Sequence, residues 1–228
     1  MNNSNAGLKN IILINGSPRK SGTSYSFART IKQLAERSGH QAEILHLLPF
    51  FNGKTDLQIL VKKIADCDIL GLIAPVYSDT LPYSDIWLLE KLADEYKNVL
   101  EGKTFFAVGQ CGFPDQTRLQ PLLENCHYFA RQTGMAWSGG IAFGGGPMIN
   151  GANLEDLGTK GQRFIEGFQL AVEAILAGEP IPGKSQELLT FTFPPLMRRL
   201  ITWYMNYRIK KDARKAECED YKARPYLN

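Results

Sequence analysis

Residues 10–25 read NIILINGSPRKSGTSY, and the pattern changes sharply in the middle of this stretch. It begins with a short apolar run rich in β-branched residues, which is typical of a buried strand. The run stops at Asn15-Gly16, and apolar residues at helical spacing resume at Tyr25. The residues in between include two glycines, several small hydroxyl residues and two cations. The stretch therefore predicts a strand, a loop and a helix.

The loop of this unit has the composition of a phosphate-binding loop. Glycines let several N–H groups converge, hydroxyls add donors, and the next helix presents its positive N-terminal dipole. The alternative is an ordinary turn with a capping Thr23 or Ser24. Two common phosphate loops are excluded by spacing: five residues separate Gly16 from Gly22, Thr23 stands where a P-loop has lysine, and Gly-x-Gly-x-x-Gly is absent.

Size and charge narrow the class of protein. At 228 residues, one domain with an appendage is more natural than two full domains. The net charge of +3 argues against nucleic acid as a partner. The N-terminus lacks an apolar leader, and the longest apolar run, residues 69–76, is too short to span a bilayer. A cytoplasmic location without membrane contact is the expectation.

Cysteine and histidine spacing gives no indication of a metal site. The cysteines (Cys67, Cys111, Cys126 and Cys218) lie far apart without a Cys-x-x-Cys pair. This spacing fits neither a zinc site nor an iron–sulfur centre, and four cysteines are too few for a disulfide scaffold. The three histidines are isolated in the sequence. No metal ligands are predicted.

The rest of the chain up to residue 178 alternates between strand and helix patterns. After the first unit, strands are predicted at 41–47, 68–75, 104–109 and 135–143, and helices at 24–37, 57–65, 83–94, 116–133 and 154–177. Alternating strands and helices predict a parallel sheet with right-handed crossovers. Ligands of such sheets bind at the carboxyl ends of the strands.

Two further loops fall at that edge of the sheet. In residues 75–82, PVYSDTLP, two prolines stiffen the backbone, and Tyr77 could cover a planar ring or simply pack in an ordinary loop. After the fourth strand, Gly109 and Gly112 permit close approach of a ligand. Cys111 between them is either redox-active or, as we favour, a small residue tolerated there, because no His or second Cys is near in sequence.

These loops resemble those of the flavodoxin-like NAD(P)H-dependent oxidoreductases, which include the NADPH-dependent FMN reductases. The resemblance rests on Gly-Ser-Pro-Arg at 16–19, Thr23-Ser24, and the Pro-x-Tyr-x-x-x-x-Pro of residues 75–82, and it covers about residues 9–178. It implies an α/β flavodoxin-like three-layer sandwich with a five-stranded parallel sheet in the order 2-1-3-4-5. The FMN-binding domain would span residues 1–183, followed by a basic, partly helical extension over 184–228.

The resemblance also implies a cofactor and a reaction. FMN would be reduced by NAD(P)H and reoxidised by a small acceptor such as a quinone or a flavin, and no side chain is nominated as a catalytic acid or base. The residues implied to bind FMN are Ser17, Arg19, Ser24 and Tyr25 for the phosphate, with Ser21 and Thr23 of the same loop, and Pro75, Val76, Tyr77, Ser78, Gln110, Cys111 and Gly112 for the ring. Lys20 and Ser21 could instead face solvent. A homodimer or homotetramer is expected. The alternatives are a flavodoxin-type electron carrier and a flavin-free binding or regulatory protein.

Three features stay open on sequence alone. Many relatives have a lysine in the first turn of the helix at 83–94, where this chain has Asp85 and Trp87, and Trp87 is read as a core or subunit contact. The glycine-rich run 144–147 is either a mobile lip or a linker. Residues 196–228 carry a net charge of +5 and predict a helix with an apolar stripe opposite its cations. Two alternatives are open for this helix: it packs on a partner subunit or on its own domain, or it lies on an anionic membrane.

Overall fold

Five parallel strands form the centre of the fold in a computed structural model that describes residues 7–78, 80–190 and 195–216. The strands are β1 (Asn10–Asn15), β2 (Gln41–His46), β3 (Ile69–Pro75), β4 (Thr104–Cys111) and β5 (Ala136–Gly144). Their order in the sheet is β2-β1-β3-β4-β5, and every neighbouring pair is parallel. The flavodoxin-like architecture predicted from the sequence is confirmed.

Helices cover both faces of the sheet because its central strands are apolar on both sides. In β1, Ile11 and Leu13 join one core cluster, whereas Ile12 and Ile14 join the other, as the alternation of strand side chains requires. The first cluster packs against α1 (Thr23–Arg37), α6 (Gly158–Ala177) and α7 (Gly183–Leu189), and the second against α2 (Leu47–Phe51), α3 (Leu57–Ala65), α4 (Tyr83–Glu95) and α5 (Gln120–Thr133).

Two short helices were not predicted. No helix is predicted between the strand at 41–47 and the helix at 57–65, but α2 forms there because Leu47 and Phe50 are buried in the core. The other, α7, protects the exposed edge of β5: the Gln186 side chain accepts from the Ala142 amide (2.9 Å) and donates to the Ala142 carbonyl (2.8 Å). Both helices are shorter than the periodicity of a sequence pattern can reveal, and both depend on contacts distant in sequence.

The C-terminal helix α8 (Pro195–Lys215) belongs to a compact unit separate from the one formed by the described residues up to Thr190. Its described apolar side chains are exposed: Leu200, Ile201, Trp203, Tyr204, Met205, Tyr207 and Ile209. At 100° per residue these positions cover well over half of the circumference, so the predicted single stripe opposite the cations is wrong. Among the described residues, no helix is both long and apolar enough to cross a bilayer. The start of the chain up to residue 6, Asp79 and Cys218 lie outside the described residues.

Candidate functional site

The three predicted loops meet at the carboxyl edge of the sheet. The Gly16 amide donates to the Ile73 carbonyl at 3.0 Å, which holds the end of β1 beside β3. The Val76 amide donates to the Gln110 carbonyl at 2.7 Å, and the Gln110 side-chain amide donates to Ser24 Oγ at 3.4 Å. The first loop is therefore hydrogen-bonded to β3, and the second loop to the end of β4. The end of β4 is in turn hydrogen-bonded to the first turn of α1.

The first loop begins with two turns that its own polar side chains stabilise. The Ser17 amide donates to Asn15 Oδ1 at 3.2 Å, and the Arg19 amide donates to Ser17 Oγ at 3.2 Å. Asn15 is fully buried, and its Nδ2 lies 3.0 Å from His46 Nδ1 at the end of β2. Asn15 shapes the loop, although the sequence analysis did not single it out. A polar residue that ends an otherwise apolar strand was the available signal.

The loop ends at the N-terminus of α1, where several backbone donors have no partner. The N-cap is Gly22, which has no side chain to cap the helix. The first helical bond runs from the Ser26 amide to the Gly22 carbonyl. The amides of residues 20–25 have no hydrogen-bond acceptor among the described residues. A 15-residue helix with free N-terminal amides is a strong anion site.

The hydroxyl groups of this loop differ in what they are free to contact. Thr23 is buried, and its hydroxyl donates to the Gly146 carbonyl at 2.7 Å. Ser24 is fully buried, with its oxygen facing the Gln110 amide, and Ser17 is also buried. Arg19 and Ser21 are exposed on the outer side of the loop. The backbone amide of Thr23 is therefore available to a ligand, whereas the Thr23 hydroxyl already donates to the Gly146 carbonyl.

Tyr25 lies to one side of the loop, against β2. Its ring stacks on the His46 ring with centroids 5.4 Å apart, and the Arg29 guanidinium carbon lies 5.7 Å from the Tyr25 centroid. Burial and the nearby positive charge of Lys20 lower the pKa of His46. His46 is therefore neutral at pH 7. Lys20, which is a residue of the first loop, adds to the positive potential of that loop.

The loops after β3 and β4 present flat and open surfaces at the rim. Pro75 and Val76 are buried where β3 ends, whereas Tyr77 is 62% exposed and Ser78 is also exposed. Gly112 is exposed, and among the described residues a Cβ placed on it would meet only Pro147 Cγ, at 3.9 Å. The amides of Tyr77, Ser78 and Gly112 have no acceptor within the described parts of the chain. This rim can accept a planar ligand with polar edges.

Cys111 points away from this rim. It is buried in the core cluster beneath β4, and its thiol donates to the Phe113 carbonyl at 3.2 Å. Burial raises the pKa of the thiol, so Cys111 is not a reactive thiolate at neutral pH. The geometry favours the small structural residue over the redox-active one.

The glycine-rich run after β5 is neither a mobile lip nor a linker, because it packs between the first and third loops. Gly144, Gly145 and Gly146 are buried, and the Gly145 amide donates to the Phe113 carbonyl at 2.9 Å. A Cβ on Gly144 would lie 2.5 Å from the Pro114 carbonyl oxygen, and one on Gly146 would lie 2.1 Å from Gln110 Oε1. The close backbone approach explains why glycines stand here.

The strand order of the parallel sheet, with helices on both faces, defines the flavodoxin-like class of α/β proteins. Comparison with known families specifies the family within it. The profile of the NADPH-dependent FMN reductases matches residues 9–132, more than half of the chain. The chain belongs to this family, whose chemistry is FMN-linked oxidoreduction. A search of curated proteins finds no match.

Solved structures share the fold at low sequence identity. RosB with bound 8-demethyl-8-formylriboflavin-5′-phosphate aligns with a TM-score of 0.57 and 13% identity, covering 97% of this chain and 92% of RosB. General stress protein 14 from Treponema denticola in complex with FMN gives 0.54 and 15%, covering 73% and 99%. The NAD(P)H:quinone oxidoreductase from Methanothermobacter marburgensis gives 0.54 and 13%, covering 74% and 96%.

The residues present fit the cofactor that the family implies. FMN carries a phosphate that suits the free amides of residues 20–25 and the cations Arg19 and Lys20. Its ring system is flat with polar edges, which suits the Tyr77 ring and the free amides of the rim. The amide donors and the rim belong to loops that are hydrogen-bonded to one another, so one ligand could reach both.

Proposed function

We propose that this chain is an FMN-dependent NAD(P)H oxidoreductase that passes a hydride from NAD(P)H through FMN to a small acceptor such as a quinone or a flavin. The observation that carries the proposal is the row of free amides at residues 20–25, connected through Ser24 and Gln110 to the loops of the rim. Bound FMN would supply the hydride chemistry, so the protein has to bind, orient and shield it.

In this proposal, the first loop holds the phosphate. The amides of residues 20–25 donate to its oxygens, and Arg19 and Lys20 balance its charge. The exposed Ser21 hydroxyl and the Ser17 hydroxyl add further donors at the same loop. Asn15 acts indirectly, because its side-chain oxygen fixes the turn at Ser17.

The other two loops hold the ring in this proposal. Tyr77, with 62% of its surface exposed, provides a flat side chain next to the ring, and the amides of Ser78 and Gly112 bond its polar edge. Pro75, Val76 and Gln110 fix the two loops to each other through the bond from the Val76 amide to the Gln110 carbonyl. Cys111 supports the loop from inside the core without contacting the acceptor.

The similar structures support the choice of ligand and reaction. One is a complex with FMN, one binds a riboflavin-5′-phosphate derivative, and one is an NAD(P)H:quinone oxidoreductase. The phosphate and the ring that these ligands share match the two halves of the candidate site. A quinone acceptor is also consistent with an open rim, because a planar acceptor has to reach the face of a planar cofactor.

The test is reconstitution followed by turnover. The purified chain is titrated with FMN while flavin fluorescence is followed, and the loaded protein is then assayed for NADH and NADPH oxidation with and without a quinone. We expect saturable binding, an absorbance band near ~450 nm that is typical of a bound oxidised flavin, and oxidation that depends on the quinone. Binding without oxidation would instead indicate an electron carrier, and no binding would indicate a flavin-free protein.

A further inference from the structure

Asp85 is an unusual residue for its position, because its carboxyl group is completely buried without a charged partner. It lies in the first turn of α4, directly after the loop of residues 75–82, and its exposed fraction is 0%. Asp85 Oδ2 accepts from Ser84 Oγ at 3.2 Å, whereas Oδ1 has no hydrogen-bond partner among the described residues. A buried polar atom without a partner is costly, so a stable protein retains it only for a reason.

Burial, and not its neighbours, favours the uncharged form of Asp85, because the Ser84 hydrogen bond by itself lowers the pKa of the carboxyl group. Ser84 faces it from α4, the Cys126 thiol faces it from α5, and Gly16 faces it from the end of β1. None of the three supplies a positive charge. Burial raises the pKa of Asp85 well above its usual range. Burial therefore favours the neutral carboxylic acid over the carboxylate.

The carboxyl group fills the space that Gly16 leaves by having no side chain. A Cβ placed on Gly16 would lie 1.6 Å from Asp85 Oδ1 and 2.6 Å from Asp85 Cγ. Gly16 is not among the residues with positive φ, so its backbone does not require glycine. Any larger side chain at position 16 is excluded because Asp85 occupies the space, and not because of the backbone conformation of Gly16.

This contact joins the two loops that the proposed function assigns to FMN. Gly16 is the first residue of the loop whose amides are free, and Asp85 lies in the first turn of the helix that follows the loop with Tyr77. An anion at residues 20–25 would be repelled by an ionised carboxylate beneath Gly16, but not by a neutral acid. The small, uncharged carboxyl group therefore suits a support beneath an anion-binding loop.

We infer that Asp85 is a positioning residue for FMN, which acts through Gly16 by filling the space beside the start of the phosphate loop. The inference rests on the proposed function, because it assumes that FMN is the ligand. It predicts that the effects of Gly16 and Asp85 on FMN affinity depend on each other. It also predicts that an uncharged side chain of the same shape at position 85, as in Asp85→Asn, preserves the FMN affinity.

The test is a double-mutant cycle on the FMN dissociation constant, measured by quenching of flavin fluorescence at pH 7. We expect Gly16→Ala to weaken binding by about tenfold or more, and to weaken it by less than about threefold when Asp85→Ala has made room. Gly183→Ala, which adds a methyl group where no atom lies within 4 Å, provides the control. Additive effects of the two substitutions would overturn the inference.

A second pair of variants keeps the test decisive if Gly16→Ala does not fold. Asp85→Asn preserves shape and neutrality, and we expect its FMN affinity to stay within about threefold of the unsubstituted protein. Asp85→Ala leaves a gap beneath Gly16 and is expected to weaken binding by about tenfold. Equal affinities of these two variants would overturn the inference. If the unsubstituted protein binds no FMN, the proposed function fails. If it binds FMN but the outcomes named above for the variants are not met, only the inference about Asp85 fails.

Discussion

The hydroxyl of Thr23 donates a 2.7 Å hydrogen bond to the carbonyl of Gly146, a residue 123 positions further along the chain. This buried bond joins the first turn of α1 to the glycine-rich run after β5. The same run packs on Gln110 near the end of β4 and on Phe113 of the third loop. The candidate site is therefore held by a bridge between distant loops as well as by the sheet beneath them.

The first prediction concerns this bridge. Thr23→Val removes the hydroxyl donor, while the Gly146 carbonyl still accepts from the Ile149 amide at 2.9 Å, so we expect the free energy of unfolding to fall by about 0.5–1.5 kcal/mol. Thr23→Ser keeps the hydroxyl and should lose less. The measurement is urea unfolding followed by circular dichroism.

Thr30 provides a matched control on the same helix. Its hydroxyl donates to the Ser26 carbonyl, which lies within α1. Thr30→Val should therefore cost clearly less than Thr23→Val. Equal losses would show that the bond to Gly146 has no special role in holding the loops.

The second prediction concerns the cations of the first loop. Arg19→Gln and Lys20→Gln should each weaken FMN binding by about threefold to tenfold, and the effect should shrink as salt is added, because exposed charges are screened. Riboflavin, which lacks the phosphate, should bind both variants as it binds the unsubstituted protein. Lys62→Gln on α3, at the opposite edge of the sheet, is the control. A similar loss for riboflavin and FMN would contradict a phosphate role.

The third prediction concerns the exposed ring at the rim. Tyr77→Ala should weaken FMN binding by about tenfold, whereas Tyr77→Phe should have little effect, because the ring and not the hydroxyl makes the expected contact. Neither variant should change the melting temperature much, since Tyr77 is 62% exposed. Tyr128 on α5 is also 62% exposed, so Tyr128→Ala is a control matched in both chemistry and exposure. Equal losses of affinity at positions 77 and 128 would disprove a ring contact at Tyr77.

The fourth prediction concerns the dependence of stability on pH. Burial raises the pKa of Asp85 in the folded protein above its unfolded value of about 3.9. Between these two pKa values the folded protein holds a proton that the unfolded chain has lost. The stability that Asp85 contributes is therefore fully present below the unfolded pKa and is lost as the pH rises towards the folded pKa.

Asp85→Asn cannot titrate, which makes the effect measurable. Within that window the stability of the variant should gain on that of the unsubstituted protein by about 1.4 kcal/mol for each pH unit. Urea unfolding at several pH values from 4 upward would measure this difference. Asp94→Asn replaces an exposed carboxyl of the same helix and serves as the control. A constant difference between Asp85→Asn and the unsubstituted protein across the range would contradict a neutral, buried Asp85.

Much of this architecture is encoded locally and could be predicted. The change from β-branched residues to a glycine- and hydroxyl-rich loop at Asn15, followed by helical spacing, is a short-range pattern, and the structure has β1 and α1 within a residue or two of the predicted positions. The prolines at 75 and 82 bracket the second loop for the same reason, since proline restricts its own backbone and that of its neighbour. The lengths of α3 and α4 follow from periodicity, whereas α6 begins at Gly158, four residues later than predicted, because residues 154–157 form a separate 3-10 helix.

The chain sequence therefore specified the βα units, their parallel order and the three loops at one edge, because these depend on neighbouring residues and on the handedness of βα connections. Only the tertiary structure decided that Asp85 is buried against Gly16, that the glycine-rich run closes on Thr23, and that Gln186 covers the edge of β5. These relationships join residues far apart in sequence. They arise from close packing in three dimensions, where a missing side chain in one element is filled by an atom of another.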